Sequence, residues 1–373
     1  MLVILALTFF FYGLVPVIGA FASRRGWRRF RRRFDSLQLK PLLDYRLYRQ
    51  AGGEPVCRFS GGFESLTDEH ILWLHGEDLT VPVSLANAHI YVMPMDEQPT
   101  GGQPTVEQPV GTEIPERIRW GRISTLSTGA KVFVGGCLAL QDGRRIFVSS
   151  PENPLLVIFY DGPERDFARQ TIKAGRHRNE YWNTITPYSL ILGAFSLLLF
   201  ALSFLPRPAF SLTALTAFIA LFTPLMPFIP PGLLFTILYQ RLWAQARLFR
   251  SYRDLARLPL KYLSGGENYG CVSLGDLNQI FFEKQIPFII PGGKKSKDGW
   301  FVFGVLSAEG ELPAEPQDPF AIYGALPGNP EVLARHYTLL AYFFEIIAWL
   351  ILLTGIGINI YFIQMIVSLL GNF

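Results

Sequence analysis

Charged residues are scarce in this sequence. Asp, Glu, Lys and Arg make up 17% of its 373 residues, where a soluble domain carries about 25%. Cysteine is scarcer still: Cys57, Cys137 and Cys271 are three, odd in number and widely spaced, with no C-x-x-C pair. That excludes a disulfide framework or a cysteine-built zinc site and fits reduced thiols in a cytoplasmic compartment. No H-E-x-x-H, G-x-S-x-G or Walker-type loop occurs, so the common metalloprotease, hydrolase and nucleotide-binding signatures are missing. No enzyme is expected, and no cofactor.

What is abundant is apolar residue, at 50% with a mean hydropathy of +0.25, and it is clustered. Four stretches run nearly uncharged for the length of a membrane crossing, about 20 residues as helix: Met1–Ser23, Tyr188–Leu205, Pro208–Tyr239 and Tyr337–Asn372, the last interrupted only by Glu345. In the first, the arginines follow the apolar run, whereas a cleaved signal peptide carries its positive charge ahead of it. A retained anchor is expected. The fold class read from this pattern is an α-helical multi-pass membrane protein of four spans, 1–23, 188–205, 208–239 and 337–370, carrying one or two small antiparallel β-barrel or sandwich domains.

The positive charges orient these spans. Arg24, Arg25, Arg28, Arg29, Arg31, Arg32 and Arg33 follow the first, and Arg241, Arg247, Arg250, Arg253, Arg257 and Lys261 follow the third, while the second and third are joined by a turn holding Arg207 alone. An integral plasma (inner) membrane protein is expected, with both loops cytoplasmic and both termini outside. The net charge of +4 is mostly this arginine. A nucleic-acid partner, which would exploit the same residues through counterion release, is not expected. The basic stretches at 24–44 and 241–262 are amphipathic, with Trp27, Phe30, Phe34 and Leu37 in one and Trp243, Leu248, Phe249, Tyr252 and Leu255 in the other. Such segments lie at a headgroup surface and attract anionic lipid, and Arg28, Arg29, Arg32, Arg33, Arg247, Arg250 and Arg253 are the residues expected there.

Between the first two spans, residues 45–180 read as a β domain of five or six short strands. Candidates are Ile71–Leu74, His89–Met93, Ala130–Val134, Cys137–Leu140, Arg145–Ser149 and the uninterrupted apolar run Leu155–Tyr160, with Gln141-Asp142-Gly143 as a hairpin signal. The Pro- and Gly-rich segment 95–116 reads as a mobile loop. Residues 263–336 read as a shorter second β domain, because an order of features recurs. Each half holds a span, a basic stretch, Gly-punctuated strands, then Asn153–Phe159 or Asp318–Tyr323, and a short helix led by Pro163 or Pro330. Gly292-Gly293-Lys294-Lys295 is a solvated basic turn.

The residues Leu79-Thr80-Val81-Pro82-Val83-Ser84, Ile90-Tyr91 and Leu126 to Gly135, with Asp142-Gly143 and the strand after Pro154 leading to a span, resemble the GIDE-type family. This is a membrane-flanked β domain of the mitochondrial ubiquitin ligase MULAN and of bacterial proteins. The resemblance covers residues 38–206, and its later part recurs at 286–370 around Asp298 to Gly304. Ala88 and His89 stand where the family has a Cys before its Tyr, and no cysteine-rich zinc module follows the last span. The resemblance therefore implies a fold and an anchoring plan, not ligase activity.

Five histidines are present: His70, His75, His89, His177 and His336. Cys57, His70, His75 and His89 could be drawn as a metal set, but His70 and His75 would point to opposite faces of one strand, and no metal is expected. Glu345 is the one ionisable residue inside a span, where function is the first hypothesis; a structural pairing with His336 or a basic residue is the alternative. Pro224, Pro227, Pro230 and Pro231 break the third span, as in transporter substrate sites or in a kinked helix. The leading expectation is a membrane-tethered interaction or scaffolding protein whose partners are the bilayer with its anionic headgroups and an unidentified protein, with a homo-oligomer left open. The alternative is a subunit of a small transporter or channel using span 3 and Glu345. A hydrolase is disfavoured because no nucleophile, base and orienting group come together.

Overall fold

The structure, a computed structural model, describes residues 2–50, 53–67, 69–93, 116–125, 129–141, 143–162, 164–173, 176, 181–207, 210–265, 269–274, 300–305 and 324–370. Its helices are α1 (Leu2–Gln38), α2 (Tyr45–Gln50), α3 (Glu164–Lys173), α4 (Thr186–Phe204), α5 (Ser211–Leu221), α6 (Gly232–Gly265) and α7 (Pro330–Leu370). The chain divides into a helical unit (Met1–Arg29, Arg178–Arg250, Tyr337–Phe373) and a β unit (Phe30–His177, Ser251–His336).

Three helices are long and apolar enough to cross a membrane by length and composition: α1, α4 and, over Pro330–Phe362, α7. The fourth expected span is built differently. Residues 208–239 form the 11-residue α5, a 3-10 segment Thr223–Phe228 and the start of α6. Proline explains the interruption: Pro224 and Pro227 lie in the 3-10 segment and Pro230–Pro231 directly precede α6, and each removes a backbone donor. The apolar runs and the basic stretches also share helices, since α1 runs unbroken through Gln38 and α6 through Gly265. Inside the helical unit, small residues sit where helices cross closely. A Cβ on Gly193 would lie 2.6 Å from the Tyr12 ring, and one on Gly355 would lie 2.5 Å from Phe235 Cβ. Ile4, Tyr12, Leu197, Ala201 and Ala217 form the buried cluster there.

The β unit contains strands β1 (Val56–Leu66), β2 (Ile71–His75), β3 (Thr80–Ser84), β4 (His89–Val92), β5 (Glu116–Ile118), β6 (Lys131–Gln141), β7 (Arg144–Val148) and β8 (Leu156–Tyr160). They pair in the order β1-β2-β3-β7-β6, and β6 returns to β1, closing a five-stranded barrel; β8, β4 and β5 continue the sheet from the other edge of β6. The sheet is not wholly antiparallel as expected, because β3–β7 and β4–β8 are parallel pairs. Parallel neighbours need a long crossover, here the chain between β3 and β7.

Glycine makes the closure feasible. β1 pairs with β6 up to Gly62 and with β2 from Gly62 onward, so the strand bends there, and a Cβ on Gly61 would lie 2.5 Å from the His75 carbonyl oxygen. Gly135-Gly136, expected to end a strand, instead lie within β6. A Cβ on Gly135 would meet Leu37 at 2.6 Å, and one on Gly136 would meet Leu155 at 2.6 Å; the missing side chains admit these neighbours.

Leu72, Leu74, Val81, Val83, Val132, Val134, Leu138, Phe147, Val157 and Phe159 fill the core. The alternate residue Phe133 is covered on the other side of β6 by Phe34 of α1 (ring centroids 5.6 Å apart) and Phe167 of α3 (5.3 Å). Strands covered on both faces read as unbroken apolar runs, which is why β8 is buried at every position. A separate antiparallel sheet has the order β11-β10-β9, from β9 (Tyr269–Leu274), β10 (Trp300–Val305) and β11 (Gly324–Pro327). Residues 95–115 of the expected loop 95–116, the turn Gly292–Lys295, Asp298–Gly299, Asp318–Tyr323 and His177 lie outside the described residues, and Glu116, the last residue of that expected loop, instead begins β5.

Candidate functional site

The polar groups of the helical unit gather where proline disrupts backbone pairing. Pro16 has no N–H to offer the carbonyls of the preceding turn, which is wound as a π-helix over Phe9–Leu14. The Tyr12 carbonyl instead accepts from the Tyr181 hydroxyl at 2.7 Å, and the Phe11 carbonyl accepts from the Ser189 hydroxyl at 2.6 Å. Asn183 Nδ2 donates to the Pro16 carbonyl at 3.1 Å, and Gly19 must be glycine for this approach, since a Cβ there would lie 2.3 Å from Asn183 Oδ1.

The second break is closed in the same way. Asn359 of α7, 3% exposed, donates through Nδ2 to the carbonyls of Met226 (2.6 Å) and Ile229 (3.1 Å) and accepts the Gly232 N–H at 3.3 Å. The Thr236 hydroxyl lies 2.7 Å from the Pro227 carbonyl. Backbone groups freed by a broken helix are tolerated in apolar surroundings only when neighbours satisfy them, and here α7 and α6 do so.

Glu345 forms an ion pair with Arg250, both side chains being largely buried at 12% and 15% exposed. The Arg250 guanidinium also lies 5.9 Å from the Tyr342 ring. Arg247, buried, lies over the Trp243 ring at 4.6 Å. Arg253 pairs with Asp254 at 2.7 Å, and Asp254 also binds Arg176. Of the arginines expected at a headgroup surface, Arg28, Arg29 and Arg32 are exposed and Arg33 is partly buried. The apolar side of that stretch packs within the β unit: Phe30, Phe34 and Leu37 are 3%, 0% and 5% exposed, against Tyr91, Phe133 and Gly135.

Between α1, the start of α4, the 3-10 segment, α6 and α7 lies a cavity of about 430 Å³, within the range of ligand sites, about 300–1,000 Å³. Its walls are largely apolar and aromatic; Trp182, Trp243 and Trp349 line it, Pro224 and Pro227 form one side, and among the described residues Arg24 is the single charged residue of the lining. Glu345 is not part of that lining.

In the β unit, His75 Nδ1 lies 3.1 Å from Thr80 Oγ1 across the β2–β3 hairpin, and His70 adopts a left-handed φ of 62° before β2. Cys57 is fully buried, and burial with Cys137 nearby pushes its thiol up to about 12. Burial, then Arg117 and Arg33, hold His89 below the ordinary imidazole value. Among the described residues no three His, Cys, Asp or Glu side chains converge as metal ligands. Sequence reasoning singled out Glu345 but missed Asn359, Asn183 and Tyr181. The available signal was a neutral polar or glycine position placed opposite a proline in another apolar run.

No family model, no characterised protein sequence and no solved structure matches the chain.

Proposed function

We propose that this chain is a multi-pass plasma (inner) membrane protein that tethers a β-barrel to the cytoplasmic face as an interaction or scaffolding module. The observation that carries the proposal is the Arg250–Glu345 pair. The one carboxylate expected inside a span is neutralised by a neighbouring helix and stands apart from the cavity, which favours packing over ion passage. The closed barrel and the resemblance to GIDE-type domains support a display role, and the arginines after the first and third apolar runs support a cytoplasmic barrel. Four crossings are part of the proposal, the third passing through α5, the 3-10 segment and the first turns of α6. The cavity beside Pro224 and Pro227 favours the second reading, a small transporter or channel subunit; solute flux through reconstituted vesicles that vanished in Glu345→Gln would establish it.

The test is single-cysteine labelling by a membrane-impermeant maleimide, in a background with the three native cysteines replaced. Cysteine at Arg207 labels in intact cells, and cysteine at Asp78, exposed in the β2–β3 hairpin, labels only after permeabilisation. The opposite pattern overturns the orientation. A photo-crosslinker at Leu140, 64% exposed on β6, forms a protein adduct if the barrel is a docking module; crosslinks to no protein sink that role.

A further inference from the structure

We propose that the cavity of the helical unit is a binding site for one anionic phospholipid, its acyl chain lying along the proline-broken segment and its phosphate held at Arg24. The inference rests on the reading of this chain as a membrane protein.

Length is the first argument. Along α1 the lining runs from Tyr12 to Arg24, a rise of about 18 Å at about 1.5 Å per residue, close to half of a hydrocarbon core of about 30 Å. The cavity thus matches one leaflet, not a path across two. Its chemistry is graded accordingly. Val17, Ala20, Leu190, Leu352 and Ile356 give it an apolar body, and Arg24 with Trp182, Trp243 and Trp349 supplies the combination that settles at headgroup depth.

Access is the second argument. Phe21, Trp182, Phe228 and Trp349 on the lining are 64%, 47%, 50% and 48% exposed, so the cavity is open at its sides, where a membrane would present lipid. The polar groups nearest the prolines do not compete for the occupant. Thr236 is engaged with the Pro227 and Gly232 carbonyls, and the Tyr181 hydroxyl with Tyr12. Thr223 is bonded to the Ala220 carbonyl and Gln240 is exposed, so the lining is largely apolar, as an acyl chain requires. The Arg24 guanidinium, the charged group of the lining among the described residues, favours an anionic over a zwitterionic head, because a guanidinium makes charge-assisted contacts with phosphate and its positive charge adds an attraction that a net-neutral head lacks.

The test is native mass spectrometry of the full chain, purified in mild detergent and titrated with phosphatidylglycerol or phosphatidylcholine, with near-ultraviolet circular dichroism melts to verify folding. The wild type retains one phosphatidylglycerol with about tenfold preference. Ala20→Phe, which fills the cavity, lowers that retention about tenfold, and Arg24→Gln reduces phosphatidylglycerol to the phosphatidylcholine level. Should Ala20→Phe fail to fold, Gly13→Leu serves, because a Cβ at Gly13 meets only Phe9, at 3.7 Å. Retention that ignores both fillers, or no preference between the lipids, overturns the site. Recovery of the chain in the soluble fraction would instead overturn the membrane reading beneath it.

Discussion

Replacing Asn359 by leucine tests whether the proline break is held shut by α7. The substitution keeps the branch point and the number of side-chain heavy atoms, at somewhat larger volume, but deletes the two donated bonds to Met226 and Ile229 and the one accepted from Gly232. Side-chain hydrogen bonds between helices in apolar surroundings average about 0.6 kcal/mol each, with a maximum of about 1.7. Three such bonds give about 2 kcal/mol, and the unpaired carbonyls push the loss upward, since a buried unsatisfied group costs about 1–3 kcal/mol. For a unit of this size each kcal/mol lowers Tm by about 2–4 °C, so a fall of about 4–8 °C is expected. Intrinsic tryptophan fluorescence melts in detergent read it. Gly232→Ala should fall comparably, because its Cβ would lie 2.2 Å from Asn359 Nδ2. Ser368→Ala, exposed and bonded only to its own helix at Met365, should not move. If Asn359→Leu melts with the wild type, the break is closed by something other than this side chain and the reasoning fails.

Three further outcomes follow. Glu345→Gln leaves the Arg250 guanidinium largely buried without its counter-charge; removing one member of a buried pair costs about 3–5 kcal/mol, reduced here to about 1–3 kcal/mol because both groups retain some solvent exposure. The double variant Arg250→Gln with Glu345→Gln should recover at least part of that loss in the same melts, and equal stability of single and double variants would contradict a pairing role. Cys57, whose thiol stands at about 12, should resist iodoacetamide at pH 8 in the folded chain and react on denaturation; mass-mapped alkylation of Cys57 at the rate of an exposed thiol would refute its burial. His89 is held below the ordinary 6.5, so the folded chain binds fewer protons than the unfolded one. Its contribution is complete above about pH 6.5 and is lost as pH falls through the lowered folded value. A melt series from pH 7.5 to 5 should show stability falling with acid and a shallower slope in His89→Gln.

Uncharged length alone made α1, α4 and α7 visible, because a helix long enough for a bilayer needs only apolar composition, a local property. The same holds for β8, whose apolar run between Pro154 and Asp161 bounds a strand buried on both faces. Glycine carried the opposite lesson. Gly61-Gly62 and Gly135-Gly136 look like breaks, yet they lie inside β1 and β6, because what a missing Cβ permits depends on the neighbour that arrives, here the His75 carbonyl, Leu37 and Leu155. The parallel β3–β7 pair that closes the ring joins segments more than sixty positions apart, beyond any local periodicity. The amphipathic side of residues 24–44 was evident from spacing alone, but Phe34 could have met lipid or protein. Only the folded chain places it on Phe133 and Phe167. Prolines likewise announce that carbonyls will be orphaned. Which distant hydroxyl or amide answers them, Tyr181 for Tyr12 and Asn359 for Met226, is set by helix packing, since hydrogen bonds act over about 3 Å whatever the separation in sequence.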